Sequence, residues 1–326
     1  MNFVTYAALN ADIIANIHRI PKDIDVVAGI PRSGLLVANI IALYLNKPLC
    51  DFDSFLQGRI YNSGTTKNKN GWVKDFSDVK KVLIVEDSVC SGASIKKAKE
   101  LFQNKGFENI TAVWFAAYVW KKNASLVDIY LRTIDLPRAF EWNYLHIKIL
   151  ENMCFDIDGI LCEDPTSEQN DDGEKYKKFL LEAPQKFLPT QEIGCIVTSR
   201  LEKYRGQTEE WLTKNNIHYK KLIMMNVESA EERRKLGNHA EFKASIYKQR
   251  NDMILFVESE PCQAETICRI SKKAVYCPTN QKFYEESLLT TLQSKSKKGI
   301  KNLLYPFIPK FLLRLYRKIK YGRNIN

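Results

Sequence analysis

The sequence predicts an α/β protein of two domains, and three observations carry that prediction. Short runs of branched apolar residues, such as Val82-Leu83-Ile84-Val85 and Ile254-Leu255-Phe256-Val257, end in polar loops, as buried parallel strands do. At 326 residues the chain is too long for one typical core and comfortably long for two. Two dense clusters of chemically active residues lie far apart, one around residues 86–94 and one opening at Asn152.

Composition narrows the class. A hydrophobic content of 45% is ordinary for a globular protein, and the longest apolar runs fall short of a bilayer span. Met1 to Asn16 lacks the basic start and continuous apolar core of a secretory signal. The eight cysteines form no CxxC pair and have no histidine cluster beside them, so neither a disulfide framework nor a zinc site is indicated. A reducing cytoplasm fits best. The net charge of +11 is concentrated in residues 295–326, which hold ten Lys or Arg and no acid. A nucleic-acid footprint would lie across a folded face, so no nucleic-acid partner is expected.

Asp25 to Ile30 reads as a strand running into Pro31-Arg32-Ser33-Gly34-Leu35, with an apolar helical pattern from Leu36 to Leu45. Arginine beside serine and glycine at a strand end suits a highly charged anion, although a plain strand-to-helix turn reads the same way. Gln57 to Asp75 is polar and turn-rich, so it is either a surface loop with incidental charge or a lid bringing Arg59, Lys67 and Lys69 to the site.

The chain is organised around Val82 to Ile95. A four-residue apolar run precedes Glu86 and Asp87, then Ser88-Val89-Cys90-Ser91-Gly92-Ala93-Ser94 leads into a helix. Free N–H groups and the dipole at such a helix start favour an anion; Gly92 permits close approach, and Ser91 and Ser94 add hydroxyls. Two acids beside a phosphate cradle suggest vicinal hydroxyls or a cation, and a phosphorylated sugar supplies both partners. Asn109 to Ala117 reads as a further strand. Asp135 to Trp142 closes this half, with Phe140 and Trp142 as either core or stacking platforms.

The string from Glu86 to Ser94 resembles the signature of type I phosphoribosyltransferases, and GIPRSG resembles their pyrophosphate loop. The resemblance implies a phosphoribosyltransferase-like parallel sheet over residues 1–148 that binds phosphoribosyl pyrophosphate (PRPP) with Mg2+. It places Arg32, Ser33 and Gly34 at the pyrophosphate and Glu86 and Asp87 at the ribose hydroxyls. Cys90, Ser91, Gly92, Ala93 and Ser94 are placed around the 5-phosphate. Some base-specific relatives have Asp at the Cys90 position, where it exchanges a proton with a purine. Cysteine is a poor substitute, so little activity with purine bases is expected.

Met153 to Leu161 is a short apolar strand running into Asp156-Ile157-Asp158-Gly159. Two aspartates spaced this way can divide labour, one attacking or coordinating and the other handling a proton. The further ligands of a calcium loop are missing. The string resembles motif one of the haloacid dehalogenase-like phosphatases, and the other motifs follow in order. Gly194 to Arg200 is a strand ending in Thr198, the phosphoryl-binding hydroxyl. Lys243 is the expected cation, with Lys248 as the other candidate. Ile254 to Glu260 is a third strand ending in acids. The resemblance implies a haloacid dehalogenase-like Rossmannoid domain over residues 149–293. Its Mg2+ would be held by Asp156, Asp158 and Glu258, with Glu260 open as an alternative. Only about 35 residues separate motifs one and two, too few for a large cap, which suits a bulky phosphoester.

Residues 294–326 end the chain. Apolar residues at 303, 304, 307, 308, 311, 312, 315 and 319 recur at helical spacing among basic ones. This C-terminal basic amphipathic helix suits an anionic membrane surface, or alternatively the protein body or an acidic partner. The expected function is sequential. Ribosyl-5-phosphate passes from PRPP to an acceptor hydroxyl, with a lipid-linked glycan of a surface polysaccharide as the expected acceptor. The 5-phosphate is then removed to leave a ribofuranosyl unit. The protein is expected in the cytoplasm, on the inner face of the cell membrane. The rivals are a nucleobase transferase fused to a nucleotidase and a PRPP-binding regulator.

Overall fold

The computed structural model describes residues 1–61, 71–229, 231–232 and 237–286, and these contain two large, mainly parallel sheets and a two-stranded parallel pair of residues 2–4 with 138–140. The first half comprises β1 (Asn2–Val4), α1 (Tyr6–Asn16), β2 (Val26–Gly29), α2 (Ser33–Leu45), β3 (Leu49–Asp51) and α3 (Phe52–Leu56). It continues with β4 (Lys81–Val89), α4 (Ala93–Asn104), β5 (Thr111–Val119), β6 (Ile129–Thr133) and β7 (Arg138–Phe140). Five strands form a sheet of order β3-β2-β4-β5-β6, all pairs parallel. The continuous apolar run of β4 is explained by burial on both faces. Val82 and Ile84 pack with Phe55 and Trp114, while Leu83 and Val85 pack with Leu9, Val37 and Ile41. The expected strand at residues 109–117 begins and ends two residues later, at Thr111 and Val119, because its pairing with β4 starts at Lys81.

Strands β2 and β4 are neighbours, so the two loops singled out in the sequence leave adjacent strand ends at one edge of the sheet. In open α/β sheets the crevice beyond the carboxyl ends of the strands is where ligands bind.

The second half comprises β8 (Met153–Phe155), α5 (Glu174–Glu182), β9 (Cys195–Leu201), α6 (Arg205–Lys214) and β10 (Leu222–Met225). Then come α7 (His239–Gln249), β11 (Leu255–Val257), α8 (Pro261–Ser271), β12 (Val275–Cys277) and β13 (Lys282–Tyr284). The strand order is β10-β9-β8-β11-β12-β13, with only β13 antiparallel to its neighbour. Strand β9 does not end at Thr198, as its motif suggested, but runs on to Leu201. Pairing of Leu201 with Met225 of β10 extends it.

The halves are joined by packing rather than by a linker. Ala139, Tyr144 and Leu150 lie in the core of the second half, so the expected boundary between residues 148 and 149 falls within a packed stretch. Phe3 of β1 stacks on Phe283 at 5.5 Å, tilts against Tyr276 at 4.5 Å and meets the edge of Tyr144 at 5.7 Å. Each such aromatic pair adds about 0.5–1.5 kcal/mol beyond area burial. The Glu141 carboxylate accepts from Tyr276 Oη at 2.6 Å and from the Tyr6 N–H at 2.7 Å, tying β12 to the start of α1. Among the described residues no helix is long and apolar enough to cross a membrane. Residues 294–326, with the expected membrane-binding helix, lie outside the described residues, as do Lys67 and Lys69.

Candidate active sites

The first site is built from the ends of β2 and β4. After Gly29 the chain turns through Pro31 and Arg32, joined by a cis peptide, into α2. The Arg32 side chain is exposed and Ser33 half-buried. Gly34 is required here, because a Cβ would lie 2.6 Å from the Val85 carbonyl oxygen, so only glycine lets α2 approach β4 this closely. Gly92 has φ +80°, and its Cβ would strike Leu126 at 2.3 Å. Its small size thus accommodates a neighbouring leucine and a left-handed turn. The N-terminus of α4 opens beside it, with Ser91 and Ala93 exposed.

The two acids reach different outer partners but remain a coupled pair. The Glu86 carboxylate accepts from Ser94 Oγ at 2.6 Å at the start of α4 and from the Asp87 N–H at 3.2 Å, while Asp87 accepts from Trp142 Nε1 at 2.7 Å. Their carboxyls also hydrogen-bond to each other. Ser94, expected as a phosphate donor, gives its hydroxyl to Glu86. Both carboxyls are buried, at 7% and 6% exposure, and burial raises both pKa values, Glu86 to about 8. Among the described residues no cation forms a salt bridge with either acid. They therefore fit a site whose positive charge arrives with a ligand, such as a divalent cation on a sugar diphosphate.

Of the two candidate platforms, Phe140 is core, 4% exposed and stacked on Tyr118. Trp142 stacks on Phe140 at 4.9 Å, but its indole N–H reaches the site through Asp87. Arg59 is exposed at the edge of the polar segment.

The second site gathers residues from the ends of β8 and β11, from within β9 and from α7 around a cavity of about 590 Å3, lined by Asp156, Asp158, Thr198, Lys243 and Glu258 among others. Lys243 is the central charge. Its Nζ donates to Asp156 Oδ2 at 2.6 Å, Glu258 Oε2 at 2.7 Å and Gln263 Oε1 at 3.1 Å. It is only 2% exposed. Burial alone would lower its pKa, but the two carboxylates raise it. Lys248 projects outward from the same helix and is exposed, which separates the two lysine candidates. Thr198 lies inside β9 at 1% exposure, its Oγ1 accepting from the Arg200 N–H at 3.2 Å.

The expected metal trio is not assembled as such. Among the described residues no group of three His, Cys, Asp or Glu is arranged to hold a metal ion. Asp156 and Glu258 converge on Lys243, and their hard oxygens fit a divalent cation. The Asp158 carboxylate turns instead to Arg200, which donates from Nη2 at 2.6 Å and from Nε at 3.1 Å. Burial would raise the Asp158 pKa, but this bidentate contact holds it below the usual range. Glu260 caps α8, accepting from the Gln263 N–H at 2.6 Å, so its carboxylate is engaged while Glu258 faces the ammonium.

Sequence reasoning missed Arg200 and Arg138. The signal for Arg200 lay two positions past Thr198, a buried-strand arginine that needs an acid. Arg138 is a lone charge before Ala139 and Phe140. The short insert after Asp158 also does more than leave the site open. Asp164, Pro165, Asn170, Tyr176 and Lys186 from it line one wall of the cavity.

Comparison with known proteins identifies the first half. The family described as Phosphoribosyl transferase domain matches residues 5–147, and this part of the chain is a type I phosphoribosyltransferase-type domain. A curated relative, the transcriptional regulator GfcR of Methanococcoides burtonii, is 30% identical over 117 residues, 35% of this chain and 54% of the relative. The chain thus spans about half the length of that relative. Helicobacter pylori xanthine-guanine-hypoxanthine phosphoribosyltransferase is 14% identical, covering 44% of this chain and 93% of that one at a TM-score of 0.32. Orotate phosphoribosyltransferase from Aeropyrum pernix is 19% identical, covering 40% and 71% at a TM-score of 0.28.

Proposed function

We propose that the protein transfers ribosyl-5-phosphate from PRPP to an acceptor hydroxyl and then hydrolyses the 5-phosphate, leaving a ribofuranosyl unit. The observation that carries this reading is the coexistence of two differently charged sites in one packed body. One holds two buried acids with no cation in salt-bridge contact among the described residues, and the other holds Asp156 against a buried lysine.

In the first step the acceptor oxygen attacks the anomeric carbon, the bond to pyrophosphate breaks, and the acceptor proton leaves. Glu86 and Asp87 would hold the ribose hydroxyls or Mg2+, and the loops around Arg32 and Ser91 would take the two phosphate ends. Mg2+ supplies charge neutralisation at the pyrophosphate when bound.

In the second step an oxygen of Asp156 attacks phosphorus and the sugar oxygen leaves. Lys243 offsets charge between nucleophile and phosphoryl group, and Thr198 donates a hydroxyl. Asp158, ionised in the ligand-free site, carries a proton to the leaving sugar oxygen once the bound phosphate dianion has raised its pKa. It recovers a proton from the water that then cleaves the aspartyl phosphate and releases inorganic phosphate. Asp156 and Glu258 would hold Mg2+ there. This half is read as a haloacid dehalogenase-like phosphatase on its motif order and this clustering. The acceptor is read as a lipid-linked glycan, with the basic tail holding the protein at an anionic membrane.

The test is Asp156→Asn, which preserves shape and removes the nucleophile. Incubated with PRPP, Mg2+ and membranes of the source cell, it should accumulate a product heavier by one phosphate than that of wild type. Finding only dephosphorylated product by mass spectrometry would sink the two-step scheme. A regulatory reading, in which PRPP is sensed rather than consumed, draws support from the relative GfcR, a transcriptional regulator. It predicts no product at all.

A further inference from the structure

Arg138 opens β7 and points into the first half beside its candidate site. It is 8% exposed, yet its Nη1 has no hydrogen-bond partner. Its nearest named aromatic contact is the face of Phe140, 5.5 Å from the guanidinium carbon. The charge lies within electrostatic reach of the Asp87 carboxylate and the Cys90 thiol. Among the described residues no carboxylate comes within salt-bridge distance of it. Asp87 spends its own hydrogen bond on Trp142.

A guanidinium stays charged in any protein environment, and burying one costs several kcal/mol unless an anion meets it. A buried cation with an orphan N–H at a ligand site is therefore a binding group awaiting its ligand. The two anionic ends of PRPP already have places, at the glycine-containing loops after β2 and β4. Arg138 belongs to neither loop. It arrives from β7, outside the five-stranded sheet, on the face of β4 that carries Asp87.

We propose that Arg138 binds an oxyanion of the acceptor, so that the transferase half selects an acceptor bearing a carboxylate or phosphate near the attacking hydroxyl. The inference rests on the transferase reading above. Hydrogen bonds to a buried charge contribute about 1.5–3 kcal/mol, so selection for an anionic acceptor is roughly tenfold or more.

The test uses the full chain saturated with PRPP and Mg2+, probed by saturation-transfer NMR. The probes are methyl β-glucuronoside for the carboxylate, glucose 1-phosphate for the phosphate, and neutral methyl β-glucoside. At least one anionic probe should bind about tenfold more tightly than the neutral one, and which one it is names the source of the oxyanion. Arg138→Gln should erase that difference while leaving PRPP affinity within about threefold, and Arg138→Lys should restore most of it.

Equal binding of all three probes by wild type overturns the proposal, and needs no variant to fold. A loss of PRPP affinity in Arg138→Gln as large as the loss of probe affinity also overturns it, by assigning the guanidinium to the donor. Failure of wild type to bind PRPP overturns the transferase reading itself, and the acceptor role with it.

Discussion

The two sites solve the problem of buried carboxylates in opposite ways. In the second half, Asp156 and Glu258 share Lys243 and Asp158 is clamped by Arg200, so each acid meets a buried cation, although burial still pushes the Glu258 pKa up to about 7. In the first half, Glu86 and Asp87 take their hydrogen bonds from the neutral donors Ser94 and Trp142, with the Arg138 charge near Asp87 but not salt-bridged to it, and burial raises both pKa values. A site whose carboxylates are already ion-paired is set before its ligand arrives. One whose carboxylates lack salt bridges is completed by the ligand, so its geometry and its protonation both depend on what binds.

The strongest way to break this contrast is to remove the balancing charge in the second half. Lys243→Met leaves Asp156 and Glu258 facing each other in a buried pocket, which costs about 3–5 kcal/mol. Phosphatase turnover of a small aryl phosphate should vanish and the calorimetric transition of this half should fall, while PRPP binding persists. An unchanged melting profile would show that the ammonium is not what holds these acids.

A smaller effect is expected from Arg200→Gln. Arg200 holds the Asp158 pKa below the usual range, so its loss should move that pKa up. The limb of the phosphatase pH profile governed by Asp158 should shift to higher pH, with turnover retained. A profile that drops uniformly without shifting would mean that Arg200 serves packing only.

The smallest effect sharpens the first half. Glu86 has a folded pKa of about 8 against 4.5 ordinarily, chiefly through burial, so the folded state keeps a proton that the unfolded chain releases. Its contribution is fully present below the unfolded pKa and is lost as pH rises towards about 8. Ligand-free wild type should therefore lose stability across this window relative to Glu86→Gln, read as a widening difference in Tm. A constant difference would place the proton elsewhere.

Much of this was legible in the sequence because strand-end chemistry is local. The apolar runs before Glu86, Asp156, Thr198 and Glu258 set their strands, and Asp156, Lys243 and Glu258 lie in contact. What was not legible depends on which way a side chain turns. Glu86 and Asp87 take different outer partners, Ser94 and Trp142, and Arg200 takes Asp158 from the expected metal trio. The shared core around Phe3, Tyr144 and Tyr276 joins residues far apart in sequence, and no local pattern announces it.

The most direct test of two independent sites is heat protection by PRPP with Mg2+, measured on wild type, Asp156→Asn and the double variant Glu86→Ala/Asp87→Ala. Wild type and Asp156→Asn should both gain several degrees of Tm from the ligand, since binding at 100 times Kd contributes about 2.7 kcal/mol. The double variant should gain none while still hydrolysing a small aryl phosphate. Protection of the double variant equal to that of wild type would contradict the assignment of the PRPP site to the end of β4.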